Sequence, residues 1–270
     1  MGTNYSITID NFSGDKNNFK IEIENILDSI NFSFSTYLEN SEISKINNSN
    51  TELIKISPDF FKVLTKALDY SILSKGTYDI TIGPLVELWG FNNTFKQSIP
   101  LSHNIKATLN DVGYENIEVS KNFLLKKNKN INIDLNSIAK GYAVDVISEF
   151  IESNDYDNYL VEIGGELRSK QNNNYNDWII GIQHPFNNTL ITTVKLNNLS
   201  MATSGTYNNY FESNGILYSH IINPKTGYPY EYKTVSATVI SKYCIDADAY
   251  ATLSMTMNPN DILSLVNKDS

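Results

Sequence analysis

Asp248 and Thr252 stand four residues apart in the stretch Asp246-Ala-Asp-Ala-Tyr-Ala-Thr252. In a helix that spacing puts the carboxylate and the hydroxyl on one face, one turn apart. Two hard oxygen donors pointing the same way are half of a site for Mg2+, which usually completes its shell with water and substrate phosphates. Asp246 is the expected N-cap, because its short side chain can accept from the exposed first-turn amides. The same spacing also fits a capped helix that packs its small residues against a sheet, so other stretches must decide.

One such stretch is Asp134-Leu-Asn-Ser-Ile-Ala-Lys-Gly-Tyr-Ala-Val-Asp145. It reads as a small-residue turn between a strand over 130–133 and a helix running through Ile151. A turn of that kind offers free amides and the positive end of a helix dipole to an anion. Lys140 would add a cation for phosphate, or simply sit on an exposed helix face. His220, in Ser219-His-Ile-Ile-Asn-Pro-Lys-Thr-Gly227, lies on a strand just before a Pro/Gly turn. It is the candidate catalytic histidine, since His103 and His184 fall in polar loops without companion ligands. Tyr37 sits where a helix gives way to a loop, either as a core plug or as a stacking surface. The hydroxyl-rich run 200–207 reads as a turn that lines a pocket or closes a loop.

The elements that must carry these residues follow from periodicity. Strands are expected over 5–9, 77–82, 159–163, 178–182, 192–196 and 235–240, with a hairpin over 117–133 whose solvated tip is the lysine-rich run 126–129. Helices are expected from Asp15 to about Phe32, from Ser57-Pro58 to Gly76, and over 101–112. Paired glycines at 164 and 165 close a buried strand where backbone or ligand can approach. The run Leu85 to Phe91, with Trp89, reads as buried.

The chain has 270 residues, 41% hydrophobic and 19% charged, enough for one large domain with a real core. A net charge of -9 argues against a nucleic-acid partner. The single cysteine, Cys244, excludes an internal disulfide and a thiolate metal cluster. No apolar run has the ~20 residues of a membrane-spanning helix, and the opening Met-Gly-Thr-Asn does not read as a signal segment. No repeat or linker divides the chain, so halves split near residue 130 are expected to pack as one body.

Taken together, Met1-Gly-Thr, Ser35-Thr-Tyr37, Tyr78 to Val86 with Trp89-Gly-Phe91, Asp134 to Asp145, Glu162-Ile-Gly-Gly165, Ala202 to Tyr207, His220 to Gly227 and Asp246-Ala-Asp248 with Thr252 resemble one family in order: the ApbE family of FAD:protein FMN transferases. The resemblance implies an α+β fold, with mixed or antiparallel sheets flanked by helices and an FAD cleft between lobes. It also implies a Mg2+-dependent enzyme that splits the FAD pyrophosphate, attaches FMN to a threonine of a target flavoprotein and releases AMP. The acceptor threonine would lie in an Asp-Gly-x-Thr-type motif supplied by that partner. Asp248, Thr252 and the backbone carbonyl of Ser137 match the family's metal ligands. Met1, Tyr37, Thr77, Tyr78, Asp79, Asp134 and Lys140 match positions lining FAD, and His220 with Asp246 match the groups expected to handle protons. The family usually works outside the cytoplasmic membrane as a lipoprotein, and a monomer or weak dimer is expected.

Departures from the family pattern are Asn136-Ser137, where smaller residues are common, and Asn223, which replaces an aspartate. The end at Ser270 falls about thirty residues before such domains normally close. The nearest rival is an FAD pyrophosphatase that uses water as acceptor. A non-catalytic flavin-binding protein and a Ca2+-binding structural module are weaker rivals, the last lacking the run of oxygen ligands an EF-hand requires.

Overall fold

The computed structural model describes residues 2–92, 97–171, 177–187, 189–207, 209–231 and 234–269. The first half runs β1 (Tyr5–Ile9), α1 (Lys16–Phe34), α2 (Glu42–Asn47), β2 (Leu53–Lys55), α3 (Pro58–Leu73), α4 (Gly83–Leu88), α5 (Ser102–Thr108), β3 (Ile117–Ser120) and β4 (Phe123–Lys126). The second runs α6 (Ala139–Ser153), β5 (Tyr159–Ile163), β6 (Glu166–Lys170), β7 (Ile179–Gln183), β8 (Leu190–Lys195), β9 (Ser200–Gly205), β10 (Tyr210–Ser213), β11 (Ile216–Ser219), β12 (Ser236–Ser241), α7 (Cys244–Thr256) and α8 (Pro259–Asp269).

Local chemistry sets the helix starts. Asp15 accepts from the amides of Asn17 and Asn18 to open α1, and the Ser57 hydroxyl accepts from Phe60 with Pro58 at the first position of α3. After α3 the chain reverses through Gly76, whose φ of 73° is the left-handed region glycine adopts freely.

An antiparallel sheet ordered β1-β5-β6-β9-β12 forms the centre of this α+β fold. Alternation along β5 sends Tyr159, Val161 and Ile163 into the main core, where α6 supplies Val144 and Ile147 and α7 supplies Leu253. On the opposite face Leu160, Leu167 and Met201 pack against Ile180, Ile182 and Val194 of the β7–β8 hairpin. The main core joins Ile23, Phe60 and Leu64 from the first half to Val144, Val161 and Leu253 from the second, so residues on both sides of position 130 share one apolar interior. A smaller cluster of Leu85, Trp89, Phe91, Ile105 and Ile222 lies under the β10–β11 hairpin. There the Trp89 indole donates to the Gly227 carbonyl at 2.8 Å and stacks on Tyr218.

Four local expectations are corrected. Residues 77–82 form turns rather than a strand, because the Asp79 carboxylate takes the Thr81 amide (2.8 Å), the Thr81 hydroxyl (2.6 Å) and the Tyr114 amide (2.9 Å). Side-chain acceptors of this kind offer amides an alternative to a sheet ladder. Residues 130–133 also lie outside any strand; the Asn47 side chain brackets Ile133, donating to its carbonyl at 2.9 Å and accepting from its amide at 2.8 Å. The 117–133 hairpin turns early, since Ser120 pairs with Phe123. Lys126 is consequently buried, donating to the Ile46 carbonyl at 3.2 Å, and burial lowers its pKa. Finally, Ser200–Gly205 is a strand, paired between β6 and β12, not a turn.

Candidate active site

Helices α6 and α7 meet backbone to backbone at Gly141. A Cβ there would lie 2.3 Å from the Cys244 carbonyl oxygen and 2.8 Å from Cβ of Asp248, so only glycine permits the approach. The Gly141 amide then donates to Asp248 Oδ2 at 2.9 Å, which fixes the carboxylate on the cavity side of α7. Asp145, also on α6, accepts from the amides of Cys244 (3.0 Å) and Ile245 (2.9 Å) and pairs with Arg168 at 2.7 Å. This carboxylate, distant in sequence, satisfies the first amides of α7 and complements its dipole.

Asp246 is therefore not the cap: α7 starts at Cys244 and Asp246 lies in its first turn. Its carboxylate turns toward α3, accepting from the Tyr70 hydroxyl at 2.6 Å and pairing with Lys66 at 2.8 Å. Asp246, expected to handle protons, is thus held by Tyr70 and Lys66 and is not among the residues that line the cavity. Asp248 and Thr252 nevertheless share a face, because the helix itself is present.

That face looks into a cavity of about 690 Å³, a usual size for a small-molecule site. Asp248, Thr252, Ser137 and Lys140 line one side of it. Thr77, Tyr78, Asp79 and Asp134 line the segment brought in from the turns after α3 and before α6. His220 comes from the end of the β10–β11 hairpin, and Tyr37 stands at the rim with 68% of its surface exposed. Of the two readings of Tyr37, exposure favours the stacking surface over the core plug. Met1 lies outside the described residues.

Charge is concentrated around Asp248. Burial pushes its pKa up, opposed by the Lys140 ammonium and the Gly141 amide. Lys140 pairs with Glu166; burial pulls the ammonium down, but Asp248 and Glu166 outweigh it and keep it charged. His220 is lowered by burial. Its Nδ1 lies 3.1 Å from the Asn209 carbonyl, which can only accept, so the proton sits on Nδ1 and the lone pair on Nε2. Tyr78 and Ser137 share a hydroxyl hydrogen bond at 2.7 Å, and Thr252 and Ser204 share another at 3.1 Å. Burial raises Asp79 and Asp134, the first restrained by hydrogen bonds from Thr81 and Tyr114 and the second by those from Asn136.

Among the described residues no group of three His, Cys, Asp or Glu side chains gathers as a metal cluster. For a cation the cavity offers the Asp248 carboxylate and the Thr252 hydroxyl, with Ser137, Asp79, Asp134 and Glu166 also on its lining, an all-oxygen set that suits Mg2+ and leaves positions for ligand oxygens and water. That set does not suit zinc, which prefers nitrogen and sulfur.

The profile of the ApbE family matches residues 1–270. The chain belongs to the ApbE family. An FAD:protein FMN transferase of Vibrio cholerae is 37% identical over 264 residues, covering 95% of this chain and 79% of that protein. One from Haemophilus influenzae is 37% identical over 261 residues, covering 92% and 75%. A solved flavin transferase ApbE from Vibrio cholerae, with a histidine replaced by glycine, superposes with a TM-score of 0.91 at 35% identity, covering 100% of this chain and 88% of that one.

Within this ApbE-family cavity, Glu166 is the residue the sequence reading passed over. It opens β6 directly after Gly164-Gly165, is 2% exposed, and lines the cavity beside Lys140. Burial first and then Asp248 push its pKa up to about 8, against the pull of Lys140. A glutamate that follows a glycine pair and begins a strand otherwise buried was the available signal. Thr203 and Ser204 also line the cavity, and they do so from a strand.

Proposed function

We propose that this chain is an FAD:protein FMN transferase that moves FMN onto a threonine hydroxyl of a partner flavoprotein and releases AMP. The observation that carries the reading is the convergence of Asp248, Thr252, Lys140, His220 and Tyr37 on one cavity, in a chain whose curated relatives bear that name.

Asp248, Thr252 and the Ser137 carbonyl would hold Mg2+, which when bound supplies Lewis-acid polarisation of the pyrophosphate oxygens. Phosphoryl transfer otherwise asks a protein for position and charge neutralisation. Lys140, held by Glu166 on the wall of the same cavity as Asp248, offsets phosphate charge. Tyr37 offers an open ring face on which a ring of FAD can stack at the rim. His220 keeps Nε2 unprotonated and takes the acceptor hydroxyl's proton, while Asn209 holds the other ring nitrogen. Tyr78, buried and bonded to the Ser137 hydroxyl, steadies the segment whose carbonyl would help hold the cation.

The acceptor motif is proposed as Asp-Gly-x-Thr-like, the assembly as a monomer or weak dimer, and the working place as extracytoplasmic, each resting on family resemblance. Incubating the chain with FAD, Mg2+ and a peptide carrying that motif tests the reading. A peptide mass increase equal to an FMN phosphoester with loss of water, together with AMP, is expected. Free FMN with an unmodified peptide would establish the pyrophosphatase instead, and intact FAD would sink both.

A further inference from the structure

Glu166 is 2% exposed and lines the same cavity as Asp248. One of its oxygens, Oε1, accepts from Lys140. The other, Oε2, is buried without a hydrogen-bond partner. An unsatisfied buried acceptor is costly, and an orphaned carboxylate oxygen more so, unless some positive group meets it. Lys140 forms its ion pair with Glu166 and lines the same cavity as Asp248, so two carboxylates draw on one ammonium. A cation seated on Asp248 would meet that imbalance.

We propose that Glu166 is the second carboxylate of the cation site, its Oε2 reaching the ion directly or through one water. This rests on the reading of Asp248 as a metal ligand and adds a positioning residue to it. Carboxylates that hold or orient a metal's ligands commonly change metal affinity about 10–100-fold when altered. Lys140, by contrast, repels a cation, so the two members of one ion pair should act on metal affinity in opposite directions.

Mn2+ is the probe, titrated into the full chain with and without AMP and read by the electron paramagnetic resonance of the free ion, so that no turnover is needed. Glu166→Gln is expected to weaken Mn2+ binding about 10–100-fold, and Lys140→Gln to leave it unchanged or tighter. Asp248→Asn should abolish it. If Glu166→Gln binds within two-fold of the unaltered chain while Asp248→Asn does not bind, the inference fails and the ligand reading stands. Loss of binding in Lys140→Gln equal to that in Glu166→Gln would show a structural ion pair and also overturn it. Unchanged binding in Asp248→Asn, or none in the unaltered chain, would remove the ligand reading and this inference with it. Should Glu166→Gln fail to fold, anomalous diffraction from Mn2+ in the unaltered protein decides: an ion bonded to Glu166 or one water away supports the proposal, and a more distant ion overturns it.

Discussion

His220 illustrates how one side chain's surroundings set its chemistry. The Asn209 carbonyl accepts from Nδ1–H, and burial lowers the pKa, so Nε2 stays free to accept a proton at neutral pH. His220→Ala is expected to slow FMN transfer about 10²–10⁴-fold with little change in FAD affinity, measured under single-turnover conditions. A loss of only a few-fold would leave it a positioning role. The sign of the pH effect follows from the same shift. Because the folded pKa is depressed, the neutral ring's contribution to stability is present above about 6.5, the ordinary histidine value, and is lost as pH falls below it. Transfer should likewise stay level from neutrality down to about that pH and decline below it. An acid limb beginning well above the ordinary value would contradict the assignment. Asp248→Ala, by comparison, is expected to abolish metal-dependent turnover while leaving near-native circular dichroism, and unchanged activity at saturating Mg2+ would refute its role as ligand.

At the scale of elements, the crossing of α6 and α7 carries the site. Gly141→Ala inserts a methyl group 2.3 Å from the Cys244 carbonyl, where the obstruction is backbone and cannot swing aside. The helices must separate, taking the Gly141 amide away from Asp248, so both stability and Mn2+ affinity are expected to fall together. A variant that loses one without the other would break the link between crossing and carboxylate. Asp145→Ala removes the acceptor for the first two amides of α7 and leaves Arg168, 13% exposed, with Glu152 as its remaining carboxylate. Leaving two first-turn amides without their acceptor is expected to cost about 1–3 kcal/mol for each that stays buried, readable by chemical denaturation. These two residues also mark where sequence reasoning reached and stopped. The period of α7 and the spacing of Asp248 and Thr252 are local properties, hence legible, and so were the serine cap of α3 and the strand–glycine–glycine boundary after β5. The identity of the cap was not legible, because Asp145 is brought to Cys244 only by tertiary packing. Residues 77–82 failed for a related reason: their alternation suited a strand, but the Asp79 carboxylate captured the amides a ladder would have used. Glu166 was missed because its meaning depends on neighbours from α6 and α7.

For the whole molecule, the site and the sheet are both assembled across the midpoint of the chain. Strand β1 pairs along its length with β5, from Tyr5 opposite Ile163 to Ile9 opposite Tyr159. Asn47 holds Ile133 by two hydrogen bonds, and the Tyr230 hydroxyl donates to the Thr77 carbonyl at 3.0 Å. The apolar core is likewise shared, so a fragment ending at residue 130 would expose the faces of α1 and α3 that carry Ile23, Ile30, Phe60 and Leu64. Burial of such side chains contributes about 1.5–3 kcal/mol each, in sum comparable with the whole marginal stability of an ordinary domain, about 5–15 kcal/mol. Neither 1–130 nor 131–270 is therefore expected to fold alone, and neither should bind FAD. Mixing the two, or expressing them together, should restore a sharp thermal transition and flavin binding if the shared interior drives their association. A cooperative melt from either half by itself would show instead that the chain contains an independent folding unit, and that the cavity is formed by docking two finished parts.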